Sequence, residues 1–229
     1  MSITICPVNP DFVAEIGDVD LSRPADSSLA AIKAAFWKYA VLIFPDQHLT
    51  PQQHLDFAAA FGPIEAERVL DHERTAPRLD HSFADISNLD ATGRIWAEDS
   101  RQRMYKAGNR LWHTDSSFRY RPGLCSLLYA TIIAPVGGHT EFADQRAAYD
   151  ALPEDIRARK VELPAAEASL RGLWRNGAFA RTFSERGGGH RQSARISFGA
   201  ERVFVQAARI ASLRLCRFSA FGPRLSVTP

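Results

Sequence analysis

The stretch Leu111-Trp112-His113-Thr114-Asp115-Ser116-Ser117-Phe118 holds a histidine and an aspartate two positions apart. In extended backbone, residues i and i+2 stand on the same face. An imidazole nitrogen and a carboxylate would then converge on one point. That pair is two-thirds of a 2-His-1-carboxylate facial triad, the donor set that holds non-haem Fe(II) and leaves positions open for substrate and oxygen. A surface strand with both side chains in water would carry the same tripeptide, and short motifs match by chance. The neighbouring elements separate the two readings.

Downstream, Cys125 to Ala134 is the best strand pattern in the chain, closed by Pro135 and Gly137-Gly138. Thr140-Glu141-Phe142 reads as a further short strand. Asp144 caps a helix through Leu152, and Pro153-Glu154-Asp155 opens another with acids in its first turn, where the helix dipole favours them. Between the candidate site and the strand, Arg119 to Gly123 forms a Pro-Gly turn.

Upstream, Ile3 to Val8 alternates as an edge strand. Asp26, Ser27 and Ser28 offer an N-cap for a helix carrying Leu29, Ile32, Lys33, Phe36 and Trp37 and running to Tyr39. Val41 to Phe44 is a continuous apolar run, a strand buried on both faces. Thr50, Pro51 and Gln53 give a capping box with proline at the first helical position. The helix they open carries Leu55, Phe57, Ala58 and Phe61, and Gly62-Pro63 stops it. His48 and His54 are expected as solvated residues flanking this helix, without chemistry. Residues 64–82 lack a period and read as a long surface loop, a lid or binding segment. Ala84 to Leu89 reads as a strand ending in a turn at Asp90 to Gly93, and residues 98–110 are polar and basic. The fold class expected is α+β, mainly β: a barrel or sandwich with helices outside.

The 229 residues, 45% hydrophobic and 24% charged, suffice for one large domain with a proper core. Three cysteines, scattered and odd in number, give neither a zinc spacing nor a disulfide framework, which points to the cytoplasm. The first residues lack the regions of a signal peptide. No apolar run approaches the ~20 residues that span a bilayer. The net charge of +2 hides an asymmetry. Residues 1–162 hold 17 Lys+Arg against 23 Asp+Glu, a balance of −6; residues 163–229 hold 11 Arg, no Lys, no Asp and 3 Glu, a balance of +8.

Leu111 to Phe118, taken with Gly137-Gly138-His139-Thr140-Glu141-Phe142-Ala143-Asp144, resembles the Fe(II)- and 2-oxoglutarate-dependent dioxygenases of the taurine dioxygenase type. The subgroup most similar contains the 2,4-dichlorophenoxyacetate dioxygenases. Phe61-Gly62-Pro63-Ile64-Glu65, Asp85-Ile86-Ser87-Asn88 and Arg146 to Pro153 support the match in order and spacing. The resemblance implies a double-stranded β-helix, a jelly-roll barrel with flanking helices. It implies His113 and Asp115 as metal ligands, and Thr140 and Asn109 as residues that bind the co-substrate. The cofactors implied are Fe(II), 2-oxoglutarate and molecular oxygen. The reaction implied hydroxylates a small organic acid, 2,4-dichlorophenoxyacetate-like or sulfonate-like, while the co-substrate is decarboxylated to succinate. A hydroxyl donor suits an anionic carboxylate, and an imidazole with a carboxylate suits iron. His139 would turn away from Thr140 on an alternating strand and is not chosen as a ligand.

The motif resemblance covers residues 1–162 and stops at Glu162. The family's last third supplies a distal histidine and an arginine for the far carboxylate of 2-oxoglutarate, and neither stands here in family context. His190 is the only later histidine; Arg195 and Arg202 follow it among many arginines. Residues 163–229 are therefore expected to be an Arg-rich non-family tail, poorly ordered, with the composition of a shifted reading frame in a GC-rich gene. The barrel is expected to be incomplete at its C-terminus, and the enzyme weak or inactive. The arginines are dispersed and show no helical stripe, so no nucleic-acid or membrane partner is expected. A homo-oligomer stays open. The alternative class is a non-catalytic binding or interaction protein that reuses the front of the barrel.

Overall fold

In the computed structural model, residues 2–65, 79–80, 82–106, 112–115, 123–132, 140–161, 193–196, 202–207 and 211–215 are described. A five-stranded sheet is ordered β1-β2-β3-β7-β4 and a three-stranded sheet β6-β5-β8. The strands are β1 (Thr4–Pro7), β2 (Ala14–Gly17), β3 (Val41–Phe44), β4 (Cys125–Ala130), β5 (Thr140–Asp144), β6 (Ser193–Ile196), β7 (Arg202–Ala207) and β8 (Ala211–Leu215). The helices are α1 (Asp26–Tyr39), α2 (Pro51–Ala59), α3 (Arg101–Lys106), α4 (Gln145–Asp150) and α5 (Glu154–Val161).

The core forms around β3. All four of its residues are buried, as a continuous apolar run requires of a strand covered on both faces. β2 pairs parallel to it, with Ala14 opposite Leu42 and Glu15 opposite Ile43. Parallel neighbours need a crossover, and α1 supplies it. That helix buries Ser28, Ile32, Ala35, Phe36 and Tyr39, a stripe at helical period. Trp37, though in the apolar pattern, points to solvent and is 57% exposed. The N-cap also differs from expectation. Ala25 occupies it without a side-chain hydrogen bond, and Asp26 is the first helical residue, placed where the dipole favours an acid. At α2 the expected capping box is complete: Thr50 Oγ1 accepts from Gln53 N at 3.2 Å, and Gln53 Oε1 accepts from Thr50 N at 2.8 Å.

Phe44, Phe57, Phe61 and Phe36 form a chain of edge-on contacts with ring centroids 5.5–5.8 Å apart, tying β3 to both helices. The buried amide of Gln47 stitches the loop after β3 to the segment before α1. Its Nε2 donates to Val19 O at 3.0 Å and Pro45 O at 2.9 Å, and its Oε1 accepts from Leu21 N at 2.9 Å. On the far side, Asp144 caps α4 by accepting from Arg146 N, and its carboxylate holds the Arg146 guanidinium. Arg146 in turn donates to Lys38 O at 2.9 Å and Asp11 O at 2.8 Å, binding the start of α4 to the end of α1.

Two further expectations change, and one helix is unforeseen. Ala84 to Leu89 is not a strand; Leu89 alone pairs, with Ile95, across a turn. Asp90 builds that turn by accepting from Thr92 N, Thr92 Oγ1 and Arg94 N, and those bonds hold its carboxyl below the usual range. Residues 101–106 form α3 within the polar stretch. His54 is not solvated: it is 1% exposed, packed 5.7 Å from the Tyr129 ring and 6.3 Å from Phe83. It shares the buried face of α2 with Phe57 and Ala58, at i+3 and i+4. β4 ends at Ala130, and residues 133–134 lie outside the described part, as do residues 119–122 of the expected turn and most of the 64–82 loop.

Strands β6, β7 and β8 all come from the Arg-rich stretch 163–229. β7 lies between β3 and β4, antiparallel to both, and β6 and β8 flank β5. No helix among the described residues is long and apolar enough to cross a membrane.

Candidate metal centre

His113 and Asp115 lie on a short segment, residues 112–115, that falls between α3 and β4 in the chain. The i, i+2 spacing brings His113 Nε2 to 3.3 Å from Asp115 Oδ1. Both side chains are partly covered, at 18% and 31% exposure, so they are shielded yet reachable. A divalent ion between a neutral imidazole nitrogen and a carboxylate oxygen would draw on the same two lone pairs that meet here.

Two hydrogen bonds to described residues help hold the segment. Ser126 Oγ, on β4 of the five-stranded sheet, donates to Asp115 Oδ2 at 2.8 Å. Gln145 Nε2, from the first residue of α4, donates to Thr114 Oγ1 at 3.0 Å. Neither partner emerges from the motif alone. The signal available for Ser126 is a hydroxyl in an otherwise apolar strand; for Gln145 it is a long amide directly after the capping aspartate.

Thr140 opens β5, is fully buried, and its hydroxyl has no hydrogen-bond partner among the described residues. A buried hydroxyl without a partner costs free energy unless something accepts its proton. An anionic oxygen from a bound acid is the kind of group that would. Asn109 lies outside the described residues, as do His139 and His190. Among the described residues no group of three or more His, Cys, Asp or Glu could hold a metal, so the structure brings together His113 and Asp115 and adds no third ligand there. Arg195 and Arg202 sit in β6 and β7, opposite Glu141 and Ala130 respectively. Cys125, beside Ser126, is a free thiol whose pKa burial pushes up to about 12, which keeps it protonated and unreactive at neutral pH.

The chain matches the model of the taurine catabolism dioxygenase TauD, TfdA family over residues 4–199. It belongs to that family. The match runs beyond Glu162, where the motif resemblance in the sequence stops. Among relatives, the alpha-ketoglutarate-dependent 2,4-dichlorophenoxyacetate dioxygenase of Cupriavidus pinatubonensis is 36% identical over 171 residues, 74% of this chain and 60% of that protein. The (S)-phenoxypropionate/alpha-ketoglutarate-dioxygenase of Sphingobium herbicidovorans is 38% identical over 163 residues, 70% of this chain and 52% of that protein. This member of the TauD, TfdA family thus matches little more than half the length of these curated relatives. A crystal structure of AAD-2 in complex with Mn(II) and N-oxalylglycine superposes with a TM-score of 0.82 at 26% identity, covering 100% of this chain and 99% of that one.

Proposed function

We propose that this chain is an Fe(II)- and 2-oxoglutarate-dependent dioxygenase that hydroxylates a small organic acid of the aryloxyalkanoate type. In this reading its two sheets are the two faces of a jelly roll. His113 and Asp115 are metal ligands, and Thr140 and Asn109 contact the co-substrate. The observation that carries the reading is the 3.3 Å approach of His113 Nε2 to Asp115 Oδ1. The buried hydroxyl of Thr140, without a hydrogen-bond partner among the described residues, supports it, and the two relatives named for aryloxyalkanoates support the substrate class.

When bound, Fe(II) supplies the redox chemistry that couples oxygen to co-substrate decarboxylation. The protein's own residues bind, orient and exclude. His113 presents Nε2 as a neutral donor and Asp115 presents Oδ1 as a hard anionic one. Thr140 donates its hydroxyl proton to a carboxylate of the co-substrate, in a setting closed to water.

The second part of the proposal is that metal binding by this chain is weak. Two ligands leave more positions of the ion to water than three do. An arginine missing from the co-substrate's far carboxylate would cost about 1.5–3 kcal/mol, roughly ten- to a hundredfold in affinity. Iron titration of the 229-residue chain tests both parts. Asp115→Ala should lower affinity well beyond any surface change while the fold persists, and equal binding by mutant and parent would remove the ligand assignment. His190→Ala should leave binding unchanged; abolished binding, with robust turnover by the parent, would show that His190 is the third ligand and the weak-enzyme reading wrong. A chain with no metal affinity at all would favour the non-catalytic binding protein.

A further inference from the structure

We propose that Ser126 is a positioning residue that commits Asp115 to a single metal-facing oxygen. The inference rests on the reading of His113 and Asp115 as ligands and adds a residue to that site. The two oxygens of Asp115 have different surroundings. Oδ1 is 3.3 Å from His113 Nε2, while Oδ2 accepts from Ser126 Oγ at 2.8 Å.

The distinction matters because the carboxylate torsion is soft and roughly two-fold. Left alone, an aspartate can swing both oxygens onto a cation and occupy two positions. Facial-triad chemistry depends on the positions that stay open. A donor on Oδ2 makes that swing cost a charge-assisted hydrogen bond. It keeps the aspartate one-handed, with Oδ1 turned to the histidine.

Ser126 is well placed for this task. It is the second residue of β4, with Gln206 opposite it on β7, so its height above the sheet is set by a main-chain ladder. The hydroxyl has one proton to give, and the structure aims it at Asp115. Gln145 meanwhile holds Thr114, so the segment is pinned both at its middle and at its carboxylate. Outer partners of this kind orient ligands in metal sites, and losing one lowers metal affinity by about 10–100-fold.

The test is titration of the full chain with Mn(II), read by loss of the free-ion electron paramagnetic resonance signal. Ser126→Ala should weaken Mn(II) binding by roughly tenfold or more. Ser126→Thr, which restores a hydroxyl, should recover most of it, and thermal melts should show both variants folded. Unchanged affinity in Ser126→Ala would overturn the inference. An equal loss in Ser126→Thr would also overturn it, because the effect would then belong to packing. Asp115→Ala, run alongside, separates the two levels. If it loses Mn(II) while Ser126→Ala does not, the ligand assignment stands and the role of Ser126 falls. If Asp115→Ala binds as the parent does, or the parent takes up no Mn(II), both fall together.

Discussion

His54 is a buried base in an apolar setting, and burial pushes its pKa from the ordinary 6.5 down to about 4. In the unfolded chain the imidazole takes its proton near pH 6.5; in the folded chain it waits until about pH 4. Between those values the unfolded state holds the extra proton, so acid favours unfolding. The contribution is intact above about pH 6.5 and is lost as pH falls toward 4. The loss is about 2 kcal/mol by pH 5 and roughly 3 kcal/mol by pH 4. Urea unfolding at pH 7 and pH 5 checks this, since His54→Phe should remove that part of the pH dependence. Identical pH dependence in the two chains would show that His54 takes up its proton at the same pH folded and unfolded. The contrast with His113 explains what a sequence reveals at this scale. His113 and Asp115 meet through a two-residue spacing, a relation visible in one line of text. The cover over His54 comes from Phe83 and Tyr129, 29 and 75 positions away. Its helical face could be read from Phe57 and Ala58, but not the presence of a lid above it. Ser126 is hidden for the same reason: its partner is eleven residues off in the chain.

Elements were legible where local rules act alone. The capping box at Thr50, the crossover helix, the buried run of β3 and the aspartate cap of α4 all follow from neighbours within four or five residues. Expectation fails where pairing decides. Ala84 to Leu89 has strand composition but extends along no ladder, and Asp90 spends its carboxylate on a turn instead. Gln47 shows how loops are held between elements. It serves Leu21, Val19 and Pro45 at once, while the Tyr129 hydroxyl donates to its carbonyl at 2.8 Å. Gln47→Leu keeps roughly the volume and strips the side-chain bonds to Leu21, Val19 and Pro45, while the main-chain carbonyl that Tyr129 bonds remains. It should cost about 3 kcal/mol, because a buried N–H and carbonyls lose their bonds. Chemical denaturation measures the loss, and a change below about 0.5 kcal/mol, the range of ordinary surface changes, would mean that water replaces the amide.

The two sheets draw on distant parts of the chain. β7 is an interior strand of the five-stranded sheet, with β3 and β4 both hydrogen-bonded to it. Val203 stands opposite Phe44 on one side and Tyr129 on the other. Its N–H therefore lies within a ladder whichever way it faces, and proline cannot supply that donor. Val203→Pro should destabilise the whole molecule by at least about 2 kcal/mol and, by loosening β4, weaken Mn(II) binding as well. Unaltered thermal unfolding would show that the sheet closes without β7. Composition could not reveal this strand's place, because main-chain pairing asks little of side-chain chemistry, and an Arg-rich context conceals it.

The same arrangement bears on how the chain is made. Leu42 and Val205 are register partners, so one edge of β3 is synthesised roughly 160 residues before the strand that covers it. At ~5–20 residues per second, the nascent chain waits about 8–30 s on the ribosome with β3 open on that side. β4 emerges into the same wait, since its partner is also β7. From the emergence of β4 until β7 is made, apolar edges of both strands face other nascent chains, the situation that cellular holdases exist to manage. Yield of folded protein should therefore respond to growth temperature and chaperone supply more than the finished fold's stability would suggest.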